Sequence, residues 1–544
     1  MPSIARPLFL LLTTTMLLVI PSLAKAVDSK LSAFVPEDAV AVIQVGDPVK
    51  LNQKVEKLLS GLDVPNPDMT ITGLMAESNL GSRGKNLVDT DMGFMVAVTM
   101  EQPEKAGFGA MPSPKLTLLY HARKGLEKAP EGRRGSIKSL KLIDGVLIAS
   151  ESADWKRPES ESPLLGMLMS GDASAVLNFQ KVWSSVGPMA EMVTGMMISM
   201  HDQKQGKTDR QGPALAPLWS TLKDIKTIQL AARIDGDDLD VMSRFDTVEP
   251  VTDKPDGSGM RLLASHLKNG SMMMAADLRT INWLIEVATD VMDLMIASGT
   301  VDEDTSSLIE ATKSYIEGSL LVDRMGGAMM VDMTASTPRS VAIQGTSNVA
   351  EYMKIQKAGM DAVAKYPEFM SMDPIKDLPN AWTMKLGPIG KKFMGTTSDE
   401  MYFRLEVVND RMVAQINGPL DWNPVTSEQS NPLTSMFESN MENPPAMAMF
   451  INVTSILKSE MQERNEMKMW ESMGLDDKPT HISMTMTPHD QHWDMKANVN
   501  LKNMFAAIAA PFTAGMQAAM ELASKQEEQR KAAKDKGAGG ADKK

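Results

Sequence analysis

The chain has 544 residues, no cysteine, 48 methionines and a formal net charge of −13. The absence of cysteine excludes disulfides, a thiolate nucleophile and cysteine-ligated metal centres. The negative charge argues against nucleic acid as a partner, because phosphate contacts require a concentrated cationic surface.

The N-terminus has the features of a secretory signal peptide. Arg6 precedes an apolar run over residues 8–20, and Ala24 and Ala26 place small side chains where signal peptidase reads them. The alternative is an uncleaved anchor, but the run is short for a bilayer span of about 20 residues. We therefore predict a signal peptide over residues 1–26, cleavage after Ala26, a periplasmic or secreted mature chain and no transmembrane span.

Four segments share one design, in which an apolar strand is followed by an Asp or Asn and then by an amphipathic helix. The Asp or Asn side chain caps the helix by accepting amide protons of its first turn. Such helices pack their apolar face on a sheet. The four predicted strands and caps are residues 39–45 with Asp47, residues 173–177 with Asn178, residues 271–276 with Asp277, and residues 446–451 with Asn452.

The same landmarks occur twice, in the same order. Asp144-Gly145, Asp154-Trp155, Ser162-Pro163-Leu164 and Asn178 return as Asn409-Asp410, Asp421-Trp422, Asn431-Pro432-Leu433 and Asn452. The offset between matching positions grows only slowly, as small loop insertions produce, and this indicates an internal duplication.

The predicted fold class is α+β, with two duplicated halves, each a mainly antiparallel sheet with amphipathic helices packed on it. The first half covers residues 27–250 and the second residues 261–503, and each closes with a hairpin. Residues 251–260 are rich in Pro, Asp and Gly and are predicted to be a linker.

The C-terminal end departs from the duplication. Residues 504–524 are alanine-rich and predict a helix, and residues 525–544 predict a disordered charged tail. The helix either packs on the protein or makes peripheral contact with a membrane surface. Its alanine content gives little apolar area for lipid binding, which favours packing on the protein.

Two stretches resemble a known group of proteins. Residues 34–39, followed by the helix start at Asp47 and Pro48, and Ala510-Pro511 before the charged tail resemble exported bacterial proteins of unknown function that are common in planctomycetes and their relatives. The resemblance implies a large secreted α+β protein and implies no catalytic residue.

The last predicted hairpin contains a candidate zinc site. His481, His489 and His492 all fall on it, and His489 and His492 flank its turn, so that their rings could meet at a zinc ion with Asp490 or His481 completing the set. A polar turn also needs no metal to explain it, since the matching turn of the first half uses carboxylates.

Two further metal candidates are less specific. Met196, Met197, Met200 and His201 could offer thioether and imidazole ligands to copper(I), although methionine also serves as an adaptable core residue. The acidic turn with Asp235, Asp237, Asp238 and Asp240 could hold calcium, but its spacing lacks the order of an EF-hand.

No catalytic or cofactor-binding residue can be assigned. The sequence lacks a nucleophile-elbow serine, a paired-histidine zinc-protease motif and a dinucleotide glycine fingerprint. The two Asp-Trp pairs could form binding platforms, but a core-filling corner explains them as well. We therefore expect a non-catalytic protein that acts by binding or as an envelope scaffold. Its expected partner is an unknown small molecule or an envelope protein. The alternative is a periplasmic hydrolase with a carboxylate pair in a cleft between the halves.

Overall fold

The computed structural model describes residues 28–59, 70–101, 112–130, 135–204, 215–252, 254–297, 324–334, 338–364, 367, 370–388, 391, 400–463 and 480–500. The predicted signal peptide, the predicted C-terminal helix, the tail and predicted elements between residues 298 and 323 lie outside the described residues.

The described part of the chain contains ten α-helices and eighteen strands. The helices are α1 Ser29–Ser32, α2 Pro48–Leu59, α3 Ile71–Leu80, α4 Phe179–Lys204, α5 Ala216–Asp224, α6 Gly257–Ser265, α7 Asn282–Ala297, α8 Val349–Val363, α9 Pro432–Glu438 and α10 Val453–Glu463.

The first eight strands are β1 Ala41–Val45, β2 Phe94–Glu101, β3 Ser113–His121, β4 Ser139–Ile143, β5 Val146–Ser150, β6 Ala173–Leu177, β7 Ile225–Asp235 and β8 Asp238–Thr247. The other ten are β9 Met272–Ala276, β10 Arg324–Asp332, β11 Arg339–Thr346, β12 Met370–Pro374, β13 Ala381–Leu386, β14 Glu400–Asn409, β15 Met412–Asn417, β16 Met447–Asn452, β17 His481–Pro488 and β18 His492–Asn500.

All eighteen strands belong to one sheet, in which every neighbouring pair is antiparallel. From edge to edge the pairings give the order β4-β5-β3-β2-β1-β6-β7-β8-β18-β17-β16-β9-β10-β11-β15-β14-β13-β12. The fold class is therefore α+β, as predicted.

The β8–β18 pair, here called the seam, joins β1–β8 (the first side) to β9–β18 (the second side). Its register runs from Asp238 opposite Asn500 to Asp246 opposite His492. Read outward from the seam, the first side has the order β8, β7, β6, β1, β2, β3, β5, β4. The second side has the order β18, β17, β16, β9, β10, β11, β15, β14, and then adds β13 and β12 at its outer edge.

The extra strands come from one segment of the sequence. Residues 347–399 lie between β11 and β14 and contain α8, β12 and β13, whereas the first side has the much shorter stretch of residues 122–138 between β3 and β4. Among the described strands, the second side is thus longer than the first by β12 and β13 at its outer edge.

The predicted helix caps are confirmed in three of the four segments, and in the third segment Asp277 caps a turn that precedes the helix start at Asn282. In each segment the Asp or Asn side chain accepts a hydrogen bond from the amide three residues later, which satisfies a donor that would otherwise be free. The bonds are Lys50 to Asp47 at 3.0 Å, Lys181 to Asn178 at 2.9 Å, Thr280 to Asp277 at 3.3 Å and Ser455 to Asn452 at 3.1 Å.

One predicted boundary requires correction. Residues 257–260 were predicted to be linker, but they form the start of α6, whose N-cap Asp256 accepts a hydrogen bond from the Gly259 amide at 3.0 Å. Met260, Leu263 and Ala264 of this helix are fully buried in the core of the second side. The Asp-Gly-Ser composition reflects a capped helix start, and the apolar residues behind it make the helix part of that core.

The two Asp-Trp corners fill the core, which favours the structural interpretation of these pairs. The Trp155 side chain is 6% exposed and packs in the first side with Phe34 and Leu164. Trp422 packs against the core of the second side. A cation lies over each ring, with Lys141 Nζ 5.4 Å from the ring centroid of Trp155 and the Arg339 guanidinium 4.9 Å from that of Trp422.

No helix in the described part of the chain is long and apolar enough to cross a membrane.

Candidate functional site

An apolar cavity of about 400 Å³ lies where the second side is enlarged. We call it the methionine cavity, because five methionines contribute to its lining. It is bounded by α8, by the strands β12, β13 and β14, and by parts of β10, β11 and β15. Its apolar lining is formed by Val331, Pro338, Met360, Met370, Met372, Met384, Leu386, Met401 and Phe403.

Strand alternation places these side chains on one surface. Met370 and Met372 are two residues apart on β12, as are Met384 and Leu386 on β13 and Met401 and Phe403 on β14. Residues two apart on a strand point to the same face of the sheet. Sequence reasoning missed this site because it did not identify the β12–β13 hairpin, and the alternation of Met with polar residues was the signal that could have revealed it.

The polar groups of the lining are engaged in hydrogen bonds within the protein. Gln415 Nε2 donates to Tyr352 Oη at 2.7 Å, and Asn417 Nδ2 donates to Ser340 Oγ at 3.2 Å. Gln356 also reaches the cavity from α8. These groups can offer hydrogen bonds to a ligand without placing a net charge in the cavity.

Arg339 is the charged side chain among the described lining residues, and its charge is compensated. Its Nη2 and Nε lie 2.8 and 2.9 Å from Asp332 Oδ2. Burial raises the pKa of Asp332, but hydrogen bonds from Thr334 and Arg339 outweigh that effect, so the pKa is lowered and the carboxylate is ionised at neutral pH. The cavity therefore presents an apolar surface with a neutral polar rim.

The predicted zinc site is assembled in the structure with a different third residue from those predicted. The turn closes with a hydrogen bond from His489 N to His492 O at 2.8 Å, and the two rings stack with centroids 4.5 Å apart. Asp494 Oδ2 is 3.4 Å from His489 Nε2, and Asp494 Oδ1 is 3.7 Å from His492 Nε2. Ligand atoms of these three residues, here called the histidine cluster, all lie within 4.8 Å of one another.

The two residues predicted to complete the site lie elsewhere. Asp490 is exposed in the turn and its carboxylate lies 3.6 Å from Lys254 Nζ. His481 begins β17, at the far end of that strand from the turn, and its ring stacks on Phe450 with centroids 5.5 Å apart. The structure thus unites His489 and His492 as predicted, and Asp494 stands where Asp490 or His481 was expected.

Burial and Arg244 set the ionisation of the histidine cluster. Burial lowers the pKa of His492, and the positive charge of Arg244 lowers it further. Burial raises the pKa of Asp494, but the hydrogen bonds and charge of Arg244 outweigh this and the pKa is lowered. At neutral pH the cluster therefore presents an uncharged His492 ring and a carboxylate, both suited to accept a cation.

The acidic turn of the first side does not assemble a comparable group in the described residues. Asp235 pairs with Arg233 at 3.2 Å, while Asp238 accepts from Asn500 and Asp240 from Asn498, both at 2.8 Å. The carboxylates of Asp238 and Asp240 are thus used to hold the seam, and the geometry gives no support for the calcium candidate.

The methionines of the copper candidate lie on the surface of α4. Met196 and Met200 are 57% and 54% exposed, so they do not serve as core residues. Met197 is partly buried, and the side chain of His201 lies outside the described residues. The copper interpretation therefore stays a prediction.

At the junction where a cleft was expected, the described residues form a continuous, packed connection. The two sides meet through the continuous strand ladder of the seam, and helices of both sides pack beside it. Leu218 N of α5 donates to Asp290 Oδ2 of α7 at 2.8 Å, which ties these helices together. A hydrolase with a carboxylate pair in an open inter-half cleft gains no support from this arrangement.

No protein-family model matches the chain, and no curated protein matches it. Among solved structures, crystal forms I and III of TP0453 are weakly similar, each with a TM-score of 0.20 and with 7% and 6% sequence identity respectively. Each similarity covers 46% of this chain, and 96% and 97% of TP0453. Similarity at this level carries no argument about function.

Proposed function

We propose that this chain is an exported, non-catalytic binding protein that takes an apolar small molecule into the methionine cavity. The main support for the proposal is the position of the cavity, which lies among the elements that the second side has in addition to those of the first. Seven of its fifteen lining residues come from α8, β12 and β13, the elements by which the second side differs from the first. Its volume of about 400 Å³ falls within the range of about 300–1,000 Å³ that is typical of small-molecule sites.

The lining defines the chemistry of the ligand. Met360, Met384, Leu386 and Met401 are each less than 10% exposed and offer only dispersion contacts and the hydrophobic effect. Because Asp332 neutralises Arg339, an anionic ligand would find no uncompensated cation there. The ligand class is therefore an uncharged apolar molecule with one or two hydrogen-bonding groups, and flexible methionines adapt to its shape.

We also propose that the two sides derive from one duplicated unit. The matching strand order outward from the seam supports this, as do the equivalent caps and the equivalent Trp corners. In this interpretation the first side keeps the ancestral arrangement, and the insertion of residues 347–399 gave the second side its ligand cavity.

Export remains part of the proposal. Its support is the signal-like N-terminus, with Arg6, the apolar run and the small residues before Val27. A cysteine-free chain suits that setting, because no thiol is exposed to oxidation outside the cytoplasm. Protein fractionation with and without residues 1–26 would test it.

The binding proposal is tested with N-phenyl-1-naphthylamine, a neutral apolar dye whose fluorescence rises when it enters an apolar site. Gly359 faces the cavity from α8, so Gly359→Leu fills the cavity while replacing a poor helix former by a good one. We expect the wild type to bind the dye and the variant to bind it at least tenfold more weakly.

Gly195→Leu is the matched control. Gly195 lies within α4, and a Cβ there meets nothing within 4 Å. This variant should bind the dye like the wild type. Absence of dye binding by the wild type, or equal binding by Gly359→Leu, would contradict the proposal.

A further inference from the structure

We propose that the histidine cluster is a binding site for a divalent transition-metal ion, with zinc as the ion that best fits its donors. Two imidazoles and one carboxylate form a donor set found in zinc sites that keep a fourth position for water or an external group. This site is distinct from the methionine cavity, and the inference does not depend on the proposed function.

The distances are close to those of a zinc site. Donors that lie about 2.0–2.2 Å from zinc stand about 3.3–3.6 Å apart in a tetrahedral arrangement. Asp494 Oδ2 lies 3.4 Å from His489 Nε2, and the other oxygen, Oδ1, lies 3.7 Å from His492 Nε2. The two rings now stack at an interplanar angle of 19°, so metal binding requires a rotation of at least one ring. Both rings are partly exposed and can make this movement.

The backbone holds the three donors in place. His492 and Asp494 are two residues apart on β18, on the same face, and are paired with Asp246 and Arg244 of β8. His489 is fixed by the hydrogen bond that closes the turn. The donors thus sit on a rigid hairpin at the end of the seam, which lowers the entropy cost of ordering a site.

Arg244 orients the Asp494 carboxylate and leaves some of the acceptor positions of that carboxylate unoccupied. The guanidinium donates from Nε to Oδ1 at 2.9 Å and from Nη2 to Oδ2 at 3.2 Å. Two carboxylate oxygens carry about four lone-pair positions, so two of these remain for a metal. This is the role of an outer-shell partner that fixes a ligand's direction.

The local charge also suits a cation. Asp246, opposite His492 in the register, adds a second carboxylate, which accepts hydrogen bonds from Gln229 Nε2 at 2.8 Å and from the Thr227 hydroxyl. Asp494 and Asp246 together carry one more negative charge than Arg244 balances. Lys254, the nearby lysine, is 81% exposed and points to Asp490, so it does not occupy the site.

The test is isothermal titration calorimetry of the purified full-length chain with ZnCl₂. The chain is first treated with a chelator, and the chelator is then removed. We expect one zinc ion to bind at micromolar concentration or below. His492→Ala and Asp494→Asn should each weaken that binding at least tenfold. Cobalt(II) in place of zinc should give the visible absorption bands of a low-symmetry, four-coordinate site.

His481→Ala is the matched control, because it removes a histidine from the same hairpin at a distance from the cluster. It should bind zinc like the wild type. Circular dichroism identifies any variant that fails to fold, and His489→Asn then serves as a milder replacement that keeps a polar side chain in the turn. Absence of a one-to-one zinc site in the wild type, or zinc binding that survives in folded His492→Ala and His489→Asn, would overturn the proposal.

Discussion

Arg244 on β8 and Asp494 on β18 form an ion pair with two hydrogen bonds, at 2.9 and 3.2 Å, across the seam between the two sides of the sheet. Their side chains are 35% and 16% exposed, so the pair is only partly screened by solvent. Hydrogen bonds between ionised groups are stronger than neutral ones, and a two-bond pair also fixes direction. This contact therefore helps to set the register in which the first side meets the second.

The first prediction concerns this pair. Asp494→Ala should lower the free energy of unfolding by about 2 kcal/mol, because it leaves a partly buried guanidinium without its partner. Arg244→Ala combined with Asp494→Ala should cost less than the sum of the single variants, with a coupling of about 1–2 kcal/mol. Urea unfolding in the presence of a chelator measures all three. Additive losses would show that the pair contributes no stability.

Asn431 provides the second prediction. It caps α9 by accepting from Thr434 N at 3.0 Å, and its Nδ2 donates to Ala264 O at 2.7 Å and to Leu267 O at 3.1 Å. Asn431→Ala removes a helix cap and leaves two buried carbonyls without this donor. The expected loss is about 2–4 kcal/mol in unfolding free energy.

Ser162, the matching residue of the first side, is the control for Asn431. It precedes the short 3-10 helix Pro163–Met167 and makes no side-chain cap bond. Ser162→Ala should therefore change stability by less than about 1 kcal/mol. A loss equal to that of Asn431→Ala would refute the role assigned to the Asn431 bonds.

The third prediction is a dependence of stability on pH. Asp28 accepts hydrogen bonds from Lys30 N and Leu31 N, and lies 2.7 Å from His121 Nε2. Burial raises the pKa of Asp28, but the hydrogen bond and charge of His121, together with the two backbone hydrogen bonds, outweigh burial and the pKa is lowered. A carboxyl with a lowered pKa in the folded state binds fewer protons there than in the unfolded chain, where its pKa is about 3.9.

The stabilising effect of Asp28 is thus complete above about pH 5, decreases once the unfolded chain begins to bind the proton, and is lost as the pH falls through the lower folded pKa. Asp28→Asn should flatten the decrease of the urea midpoint between about pH 5 and about pH 2.5. An unchanged slope would show that Asp28 does not contribute to acid sensitivity.

The fourth prediction concerns two glycines whose replacement by alanine should change the stability of the protein in opposite directions. Gly326 has φ of 156°, and a Cβ there would overlap Met260 Cε and stand 2.9 Å from the Ala276 carbonyl oxygen. Gly326→Ala should therefore destabilise the second side by about 2–3 kcal/mol. Gly195 lies inside α4 with open space around it, so Gly195→Ala should stabilise the protein by about 0.5–1 kcal/mol. Thermal unfolding of both variants measures the difference.

The features that local chemistry determines could be predicted from the sequence. An apolar run followed by Asp or Asn defined the four capped units, because the strand, the cap and the first helical turn are neighbours in the chain. The α+β class and the β7–β8 and β17–β18 hairpins follow from the same kind of local signal. One helix begins later than its predicted cap indicates, because a turn follows Asp277 and α7 starts only at Asn282.

The features that depend on distant pairings could not be predicted. Asp494 is a different case, because it stands two residues after His492 on the predicted hairpin, where strand alternation alone places it on the same face. The methionine cavity needs α8 to lie on the sheet next to a hairpin whose first strand ends at Pro374, a residue that weakens any strand signal. For the methionine cavity the missing information was which strands are neighbours.

The seam has a consequence for any attempt to divide the protein. β8 pairs with β18 along its length from Asp238 to Asp246, so neither strand is left as an exposed edge of the sheet. A fragment that ended soon after Glu249 would carry a long, bare strand edge able to pair with a second fragment, by the same geometry that leads exposed strands to aggregate. Self-assembly of the isolated pieces, rather than two well-behaved monomers, is what dissection should yield.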